Sequence, residues 1–229
     1  VKLRKNTIVS GGTSSGKTSL LNALSGLIPE NDRILVLEDA SELQLQQKHT
    51  VYFETRKPDK NGNGAFSIRD LVIASLRLRP DRLVIGEIRG GEAFDLLQAM
   101  NTGHSGSMST IHANSAVDAL RRMEACAMMS GIELPLVAVR MQVASAINCV
   151  VQTSHMPDGS RKTVEIAEVM PPENGEYRTR TLMKWETESA FPDPEKPGHM
   201  VIKGRFVLGE APTFRHEAEI MGLELPKYE

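Results

Sequence analysis

The sequence predicts an α/β fold organised around a mostly parallel sheet. Short runs of β-branched residues alternate with longer helical stretches over the first two thirds of the chain. One such run, residues 83–85, is wholly apolar, which is typical of a strand covered on both faces in a parallel sheet. Strands that alternate with helices form βαβ units, in which successive strands run in the same direction.

The first elements are delimited by turn residues and charged residues. A strand over residues 7–9 leads into a turn rich in Gly and Ser, after which residues 17–25 form a helix. A second strand over residues 33–37 lies between a turn of Pro, Asn and Asp and an acidic pair. A third strand over residues 50–54 precedes a loop rich in Pro, Asn and Gly over residues 57–64.

The next helix has a clear start signal. Ser67, followed three residues later by Asp70, fits a capping box, and the apolar residues after it favour a helix that continues up to Pro80. The remaining elements of this part are predicted as strands over residues 83–85, 107–111 and 147–152 and as helices over residues 91–100, 115–129 and 134–146.

The character of the sequence changes after Ser154. Residues 156–160 form a hairpin turn, and a Pro-rich stretch over residues 191–198 predicts a loop. The strand-like segments of this part are residues 164–166, 177–185 and 200–207. We therefore predict two units, an α/β domain over residues 1–154 and a small β-rich extension over residues 155–229.

Composition excludes several classes of protein. Lys and Arg number 27 and Asp and Glu number 29, so a net charge of −2 does not fit a general binder of polyanions, although a local basic patch stays possible. The two cysteines, Cys126 and Cys149, form no C-x-x-C pair and are expected to be buried and free. No apolar run approaches the roughly 20 residues that cross a bilayer. The chain begins at Val1 and not at Met, and we expect it to be a fragment of a longer protein.

The turn after the first strand carries the strongest motif. The pattern G-x-x-x-x-G-K-[S/T] is filled by Gly11, Gly12, Thr13, Ser14, Ser15, Gly16, Lys17 and Thr18, and Ser19 follows them in the helix. Glycines at these places let backbone N–H groups converge on phosphate oxygens at the positive end of a helix. Lys17 is expected to reach the β- and γ-phosphates and Thr18 to hold Mg²⁺. The motif predicts a nucleotide site.

Two acidic positions are expected beside this loop. Glu87 follows the apolar strand and is the first candidate to bind Mg²⁺ through water or to orient the attacking water. Glu38 and Asp39 end the second strand, and the carboxyl ends of parallel strands meet at one edge of a sheet. We predict that Glu38 assists Glu87, although an acidic pair could also begin a helix.

Further candidates are one histidine and three arginines. His112 follows a predicted strand at the same edge of the sheet, where it could donate a hydrogen bond to a γ-phosphate, although it could equally be structural. Arg77, Arg79 and Arg89 lie on either side of the Glu87 strand, and any of them could complete the site of a neighbouring subunit or remain a solvated charge.

Together these residues resemble the type II/IV secretion ATPase superfamily, and within it the VirB11-like and CpaF/TadA-like branch. The resemblance covers about residues 1–170 and consists of four boxes in order, over residues 11–18, 37–39, 78–90 and 103–114. The paired cysteines of the type II secretion branch are missing, which favours the VirB11/CpaF side.

The resemblance implies a RecA-like ATPase domain with a second domain upstream of it. It implies a homo-hexamer at the cytoplasmic face of a bacterial inner membrane, where it meets membrane components and uses ATP and Mg²⁺ to power type IV secretion, conjugative transfer or Tad-type pilus assembly. By position, Lys17 and Thr18 are the phosphate and Mg²⁺ ligands, Glu38 belongs to the Asp box, Glu87 is the Walker-B acid and His112 is the His-box residue.

Two other functions remain open from the residues alone. A nucleic-acid-dependent motor of the same fold is one, but aromatic residues make up only 4% of the chain and offer no stacking platform, so we expect no direct contact with nucleic acid. The other is a regulatory protein that binds nucleotide without hydrolysing it.

Overall fold

A computed structural model of the chain describes residues 1–194, 198 and 200–228. The strands are β1 (Thr7–Gly11), β2 (Ile34–Glu38), β3 (Thr50–Glu54), β4 (Arg82–Ile85), β5 (Met108–Ile111), β6 (Cys149–His155), β7 (Arg161–Glu173), β8 (Glu176–Pro192) and β9 (Met200–Leu208). The helices are α1 (Lys17–Ser25), α2 (Ile68–Ser75), α3 (Glu92–Asn101), α4 (Ala116–Met128), α5 (Leu136–Ala146) and α6 (Arg215–Ile220). In this described part of the chain, no helix is long and apolar enough to cross a membrane.

All nine described strands belong to one sheet, in the order β3-β2-β4-β5-β1-β6-β7-β8-β9. The first six strands in this order are parallel, and β7, β8 and β9 continue the sheet with antiparallel pairing. The predicted mostly parallel α/β sheet is therefore confirmed. Because β2, β4, β5 and β1 are neighbours, the loops that follow them meet at one edge.

Alternate residues of the parallel strands face two separate cores. Leu35 and Ile85 pack in the larger core, together with side chains of α2, α3, α4 and α5. Val36 and Val84 are the sequence neighbours of these two residues, and they pack in the smaller core against Leu21 of α1. Both sets are fully buried, which explains why these strands are apolar throughout and show no alternation of polar and apolar residues.

Most predicted boundaries agree with the structure to within two residues. The Ser67 side chain accepts a hydrogen bond from the Asp70 N–H at 3.2 Å, and the Ser67 N–H donates to Asp70 at 2.8 Å, so the capping box is confirmed. The helix ends earlier than predicted, because α2 stops at Ser75 and one turn of 3-10 helix, Leu76–Leu78, follows it. Arg79 then adopts a φ of 52°, in keeping with the restriction that the next residue, Pro80, places on helical backbone.

The C-terminal third differs more from its prediction. The turn after β6 forms as expected, with Met156 N–H donating to the Ser160 carbonyl at 2.8 Å. The predicted loop over residues 191–198 is wrong at its start, because β8 continues through Pro192, and residues 195–197 of that loop lie outside the described residues. The short helix α6 has no counterpart among the predictions, since its six residues are too few to show a periodic pattern.

The predicted boundary near Ser154 lies within a strand, and residues on both sides of it pack in the same core. β6 spans this position and pairs with β7, and the β7 side chains Ala167 and Val169 are buried in the larger core. Tyr177 of β8 joins the same core, and its hydroxyl donates to Glu124 of α4 at 2.8 Å. Two units at residues 1–154 and 155–229 therefore stay a prediction. Both cysteines are buried and free, as expected.

Candidate active site

The carboxyl ends of β1, β2, β4 and β5 open into one cavity of about 500 Å³. Each strand continues directly into a loop that lines this cavity. The sequence-predicted site residues found in its lining are Thr13, Ser14, Lys17, Thr18, Glu38, Glu87, Arg89 and His112. Asp39 and Thr110, the latter at the end of β5, also line it. Residues from four separate stretches of the sequence are thus brought together.

The turn between β1 and α1 has the backbone conformation that its glycines make possible. Gly16 has a φ of 92°, in the left-handed region. Gly11 has no room for a side chain, because a Cβ there would lie 2.3 Å from Ser15 Oγ and 2.7 Å from the Thr153 carbonyl oxygen. The turn is thus held against the sheet, and α1 begins with Lys17, which lines the cavity.

Lys17 is buried in the floor of the cavity. Its Nζ donates a hydrogen bond to the Gly12 carbonyl at 2.8 Å and lies 3.4 Å from Nδ1 of His112. Burial lowers the pKa of Lys17, the neighbouring Glu87 carboxylate opposes this shift, and Arg89 adds to it. An ammonium group with so little access to water is poised to gain from an incoming anion.

Glu87 lies just beyond β4, with its side chain 15% exposed. Its Oε2 accepts a hydrogen bond from Arg89 Nε at 2.6 Å, and the same guanidinium group forms a second contact with this oxygen. Arg89 also lies 3.5 Å from Asp39, and the carboxylates beside it raise the pKa of Arg89, Glu87 contributing most. The other oxygen, Glu87 Oε1, is buried and lies beside the imidazole ring of His112.

His112 lies between the lysine and the glutamate. Its Nε2 is 2.7 Å from Glu87 Oε1, and its Nδ1 faces Lys17 Nζ. The side chain is 46% exposed, so one part of the ring contacts these two charges and another faces the open cavity. The ring therefore lies where it could donate a hydrogen bond to a γ-phosphate, and that role stays a prediction.

Glu38 is the most buried carboxylate of the site, with 3% exposure. Its Oε1 accepts hydrogen bonds from the backbone N–H groups of Glu42 and Leu43 at 3.1 and 3.0 Å. Burial raises the pKa of Glu38, and these two hydrogen bonds oppose the shift. Gly86 leaves room for it, because a Cβ at that residue would lie 3.2 Å from Glu38 Cγ.

Gly11, Gly12, Ser15 and Gly16 belong to the phosphate loop without lining the cavity, and three further predicted residues lie outside both. Ser19 is exposed in the first turn of α1 and does not line it. Arg77 and Arg79 are exposed and flank Leu78, whose carbonyl accepts from Arg33 Nε at 3.0 Å, just before the start of β2. The two arginines thus lie at the opposite edge of the sheet, and their contribution to a neighbouring subunit stays a prediction.

Two residues that touch the phosphate loop were not predicted from the sequence. Thr153 of β6 places its hydroxyl 2.8 Å from Ser15 Oγ, and Arg161, the first residue of β7, donates from Nε to the Ser14 carbonyl at 2.8 Å. Neither belongs to a local motif, and their contact depends on the pairing of β1 with β6 and of β6 with β7. Only the strand order, which the sequence does not state, would have revealed them.

Comparison with known proteins gives a consistent result. The family model of type II/IV secretion system proteins matches residues 1–178. The type IV secretion system protein PtlH of Bordetella pertussis is 42% identical over 168 residues, which cover 72% of this chain and 50% of that protein. The conjugal transfer protein TrbB of Rhizobium radiobacter is 34% identical over 189 residues, 81% of this chain and 55% of that protein.

Among solved structures, the chain is similar to the VirB11 ATPase of the Brucella suis type IV secretion system, which was crystallised with sulphate. The two superimpose with a TM-score of 0.65 and 29% identity, over 72% of this chain and 48% of that one. This likeness confirms the predicted RecA-like fold class. The chain spans about half the length of the curated relatives it matches.

Proposed function

The chain belongs to the type II/IV secretion system protein family, in its VirB11-like branch, and from that premise we propose that it binds and hydrolyses ATP. One observation carries the proposal above all. A phosphate-binding turn, a buried lysine, two carboxylates and a histidine line a single cavity, although they come from four different strand ends. This is the set of groups that phosphoryl transfer to water requires.

The phosphate loop supplies the positioning. Backbone N–H groups of the turn and the positive end of α1 attract the phosphates, and Lys17 leaves the Gly12 carbonyl to contact the β- and γ-phosphate oxygens. The burial that lowers the pKa of Lys17 also excludes water from the contact, which strengthens its attraction for an anion.

The donors of the cavity also fit a Mg²⁺ ion. Thr18 and Glu87 both line it, and Glu87 Oε1 is a buried carboxylate oxygen beside the His112 imidazole. We propose that the Thr18 hydroxyl would hold the ion directly and Glu87 through water. Bound Mg²⁺ neutralises negative charge on the β- and γ-phosphate oxygens.

The attacking water is assigned to Glu87. Arg89 occupies Oε2 and fixes the carboxylate, which leaves Oε1 directed toward His112 and the cavity. A water that donates to Oε1 would lie beside the imidazole, which can donate in turn to the γ-phosphate. Glu38 follows the neighbouring strand and is the second candidate for accepting the proton, because its raised pKa brings it closer to neutral pH.

We further propose that the whole protein works as a homo-hexamer at the cytoplasmic face of a bacterial inner membrane. The names of the relatives support type IV secretion or conjugative transfer as the process that it powers. Arg77 or Arg79 from a neighbouring subunit would complete each site, since both are exposed and far from the cavity of their own chain.

The experiment compares the wild-type chain with Lys17→Ala for binding and hydrolysis of Mg·ATP. Removing the buried ammonium group should reduce turnover by about 10²–10³-fold or more while the circular dichroism spectrum is unchanged. Lys48→Ala is the matched control, because Lys48 is an exposed lysine outside the cavity and should keep full activity.

Each other outcome has a defined meaning. Turnover retained by Lys17→Ala would contradict the site assignment. Nucleotide binding by the wild type without any turnover would favour a regulatory nucleotide-binding protein. Stimulation of turnover by single-stranded nucleic acid that disappears as salt is added would favour the nucleic-acid motor.

A further inference from the structure

Behind the phosphate loop lies a buried pair of hydroxyl groups, Ser15 and Thr153. The two residues are 2% and 3% exposed, and their oxygens are 2.8 Å apart. Ser15 Oγ also donates to the Gly12 carbonyl at 2.9 Å, and Thr153 Oγ1 donates to the Ser10 carbonyl at 3.0 Å. The pair thus joins β6 to the turn that starts at the end of β1.

The pair has more acceptors than protons. Each hydroxyl carries one proton, yet three contacts require one: the Gly12 carbonyl, the Ser10 carbonyl and the contact between the two hydroxyls. If Thr153 donates to Ser10, the Ser15 proton has two alternative acceptors, Thr153 Oγ1 and the Gly12 carbonyl. The Ser15 hydroxyl can therefore change its partner by rotating about one bond.

The Gly12 carbonyl is also the partner of Lys17, whose Nζ donates to it at 2.8 Å. When Lys17 moves to a phosphate, this carbonyl loses a charged donor. A partly buried carbonyl left with only the long 3.4 Å contact from the Ser15 backbone N–H would oppose that movement. The only other side chain that donates to it among the described residues is Ser15.

We propose that the Ser15 side chain is a positioning group of the phosphate site, which acts on Lys17 through the Gly12 carbonyl. Ser15 and Lys17 both lie within hydrogen-bond distance of this carbonyl, and the Ser15 proton can also turn to Thr153. When Lys17 moves to a phosphate, the Ser15 hydroxyl keeps the Gly12 carbonyl paired. The P-loop pattern uses only the backbone N–H of this residue, so the role of its hydroxyl goes beyond the motif.

The packing around the pair keeps the hydroxyls in reach of these acceptors. A Cβ on Gly11 would lie 2.3 Å from Ser15 Oγ and 2.3 Å from Thr153 Oγ1, so the two oxygens lie against bare backbone. The pairing of β6 with β7 shifts register between Gln152 and Thr153, at the point where the hydroxyl turns toward β1. The two hydroxyls are therefore enclosed between the turn, β1 and β6.

The test measures the dissociation constant of Mg·ADP and the free energy of unfolding without nucleotide, on the 229-residue chain. Ser15→Ala removes the hydroxyl donor and leaves the Gly12 carbonyl with only the long contact from the backbone N–H of residue 15, so the dissociation constant should rise about tenfold. Thr153→Val keeps the Ser15–Gly12 bond, so its dissociation constant should stay within about twofold of wild type. Its unfolding free energy should fall instead, because the Ser10 carbonyl loses a donor.

Two further variants make the test sharper. Thr163→Val is the matched control: Thr163 pairs with Thr153 across β6 and β7, and its hydroxyl has no hydrogen bond among the described residues. It should change neither quantity. If Ser15→Ala fails to fold, Ser15→Cys takes its place. Cysteine has a similar volume but is only a weak donor, so the dissociation constant should still rise.

The inference rests on the proposed nucleotide site, and the outcomes separate the two. A wild-type chain that binds no Mg·ADP would contradict both. If the wild type binds, an unchanged dissociation constant in Ser15→Ala would overturn the role of Ser15 alone. Equal losses of affinity in Ser15→Ala and Thr153→Val would overturn it too, because they would indicate a common packing effect.

Discussion

Glu87 uses its two carboxylate oxygens for different contacts. Oε2 is held by the Arg89 guanidinium group, whereas Oε1 is buried and lies 2.7 Å from Nε2 of His112. A carboxylate fixed through Oε2 keeps its orientation, and Oε1 has a further lone pair that can accept from a water molecule beside the imidazole. The ion pair itself is partly exposed on the Arg89 side, so its main effect is on geometry and not on stability.

Glu87→Gln should separate binding from hydrolysis. The amide keeps the size of the side chain but cannot accept the proton of the attacking water, so turnover should fall by about 10²–10⁴-fold. The dissociation constant of Mg·ADP should stay near the wild-type value. Glu92→Gln is the control, because Glu92 begins α3 directly after this loop, accepts from the backbone of Arg89 and Gly90, and does not line the cavity.

Turnover in Glu87→Gln close to wild type would contradict this assignment and transfer the role of base to Glu38. The double variant would then show whether the two carboxylates act on one water. If they do, the second substitution should slow hydrolysis much less than it does in the wild-type background.

Glu38 also makes stability depend on pH. Burial raises its pKa above the ordinary value of 4.5, so the folded chain holds this proton more tightly than the unfolded chain does. Its contribution to stability therefore falls as the pH rises from about 4.5 through the raised value, and the penalty remains at neutral pH. The site keeps a charge that the fold would be more stable without.

Glu38→Gln should accordingly increase the free energy of unfolding at pH 7, because the amide oxygen can still accept from Glu42 and Leu43. The gain should shrink toward zero below about pH 4, where Glu38 is protonated in both states. Chemical denaturation across this range measures it, with the exposed Glu133→Gln as control. A gain that is the same at pH 4 and pH 7 would contradict the assignment to ionisation.

At the scale of elements, the ends of the parallel strands explain what could be predicted. Lys17 was selected from the phosphate-loop motif, whereas Glu38, Glu87 and His112 were selected because each lies at the end of a predicted strand. These strands are buried, which makes them easy to recognise. The carboxyl ends of parallel strands meet at one edge of a sheet, which explains why these side chains lie close together. The family resemblance then supplied roles that strand positions alone do not give.

The contacts made by β6 and β7 could not be predicted in the same way. Thr153 and Arg161 reach the phosphate loop because β6 pairs with β1 and β7 with β6, and strand order is a property of the folded sheet. The length of β8 was underestimated for a related reason. Its second half is rich in polar residues and is stabilised by pairing with β9, which local composition does not show.

The shared core gives a test of the predicted boundary near residue 154. Val169 and Tyr177 are buried against the helices of the α/β part, and a side chain of this size contributes about 1.5–3 kcal/mol when buried. A chain that ends at residue 160 would lose these contacts and expose the edge of β6. We expect it to unfold without a cooperative transition, as measured by thermal circular dichroism.

The alternative result is equally clear. A sharp unfolding transition and wild-type affinity for Mg·ADP in the shortened chain would show that residues 1–160 fold and bind alone, as the predicted boundary requires. A chain that ends at residue 212, which removes α6 but keeps β7, β8 and β9, is the control and should retain the cooperative transition.

At the scale of the whole molecule, the cavity is open, and the three candidate arginines lie at two opposite edges of the sheet. Arg89 lies in the cavity and is paired with Glu87, whereas Arg77 and Arg79 project from the opposite edge of the sheet. Charge that develops on the γ-phosphate would therefore meet Lys17 and His112 from the same chain. A further unpaired guanidinium group would have to come from another copy, as a ring allows.

The most direct test of the account measures Mg²⁺-dependent ATP hydrolysis against protein concentration, with molecular mass determined in the same samples. If sites are completed between subunits, turnover per chain should rise cooperatively with concentration and follow the appearance of a hexamer. Glu87→Gln should assemble equally well and hydrolyse at least about 10²-fold more slowly. Full turnover per chain in samples that contain only monomer would contradict a motor with shared sites.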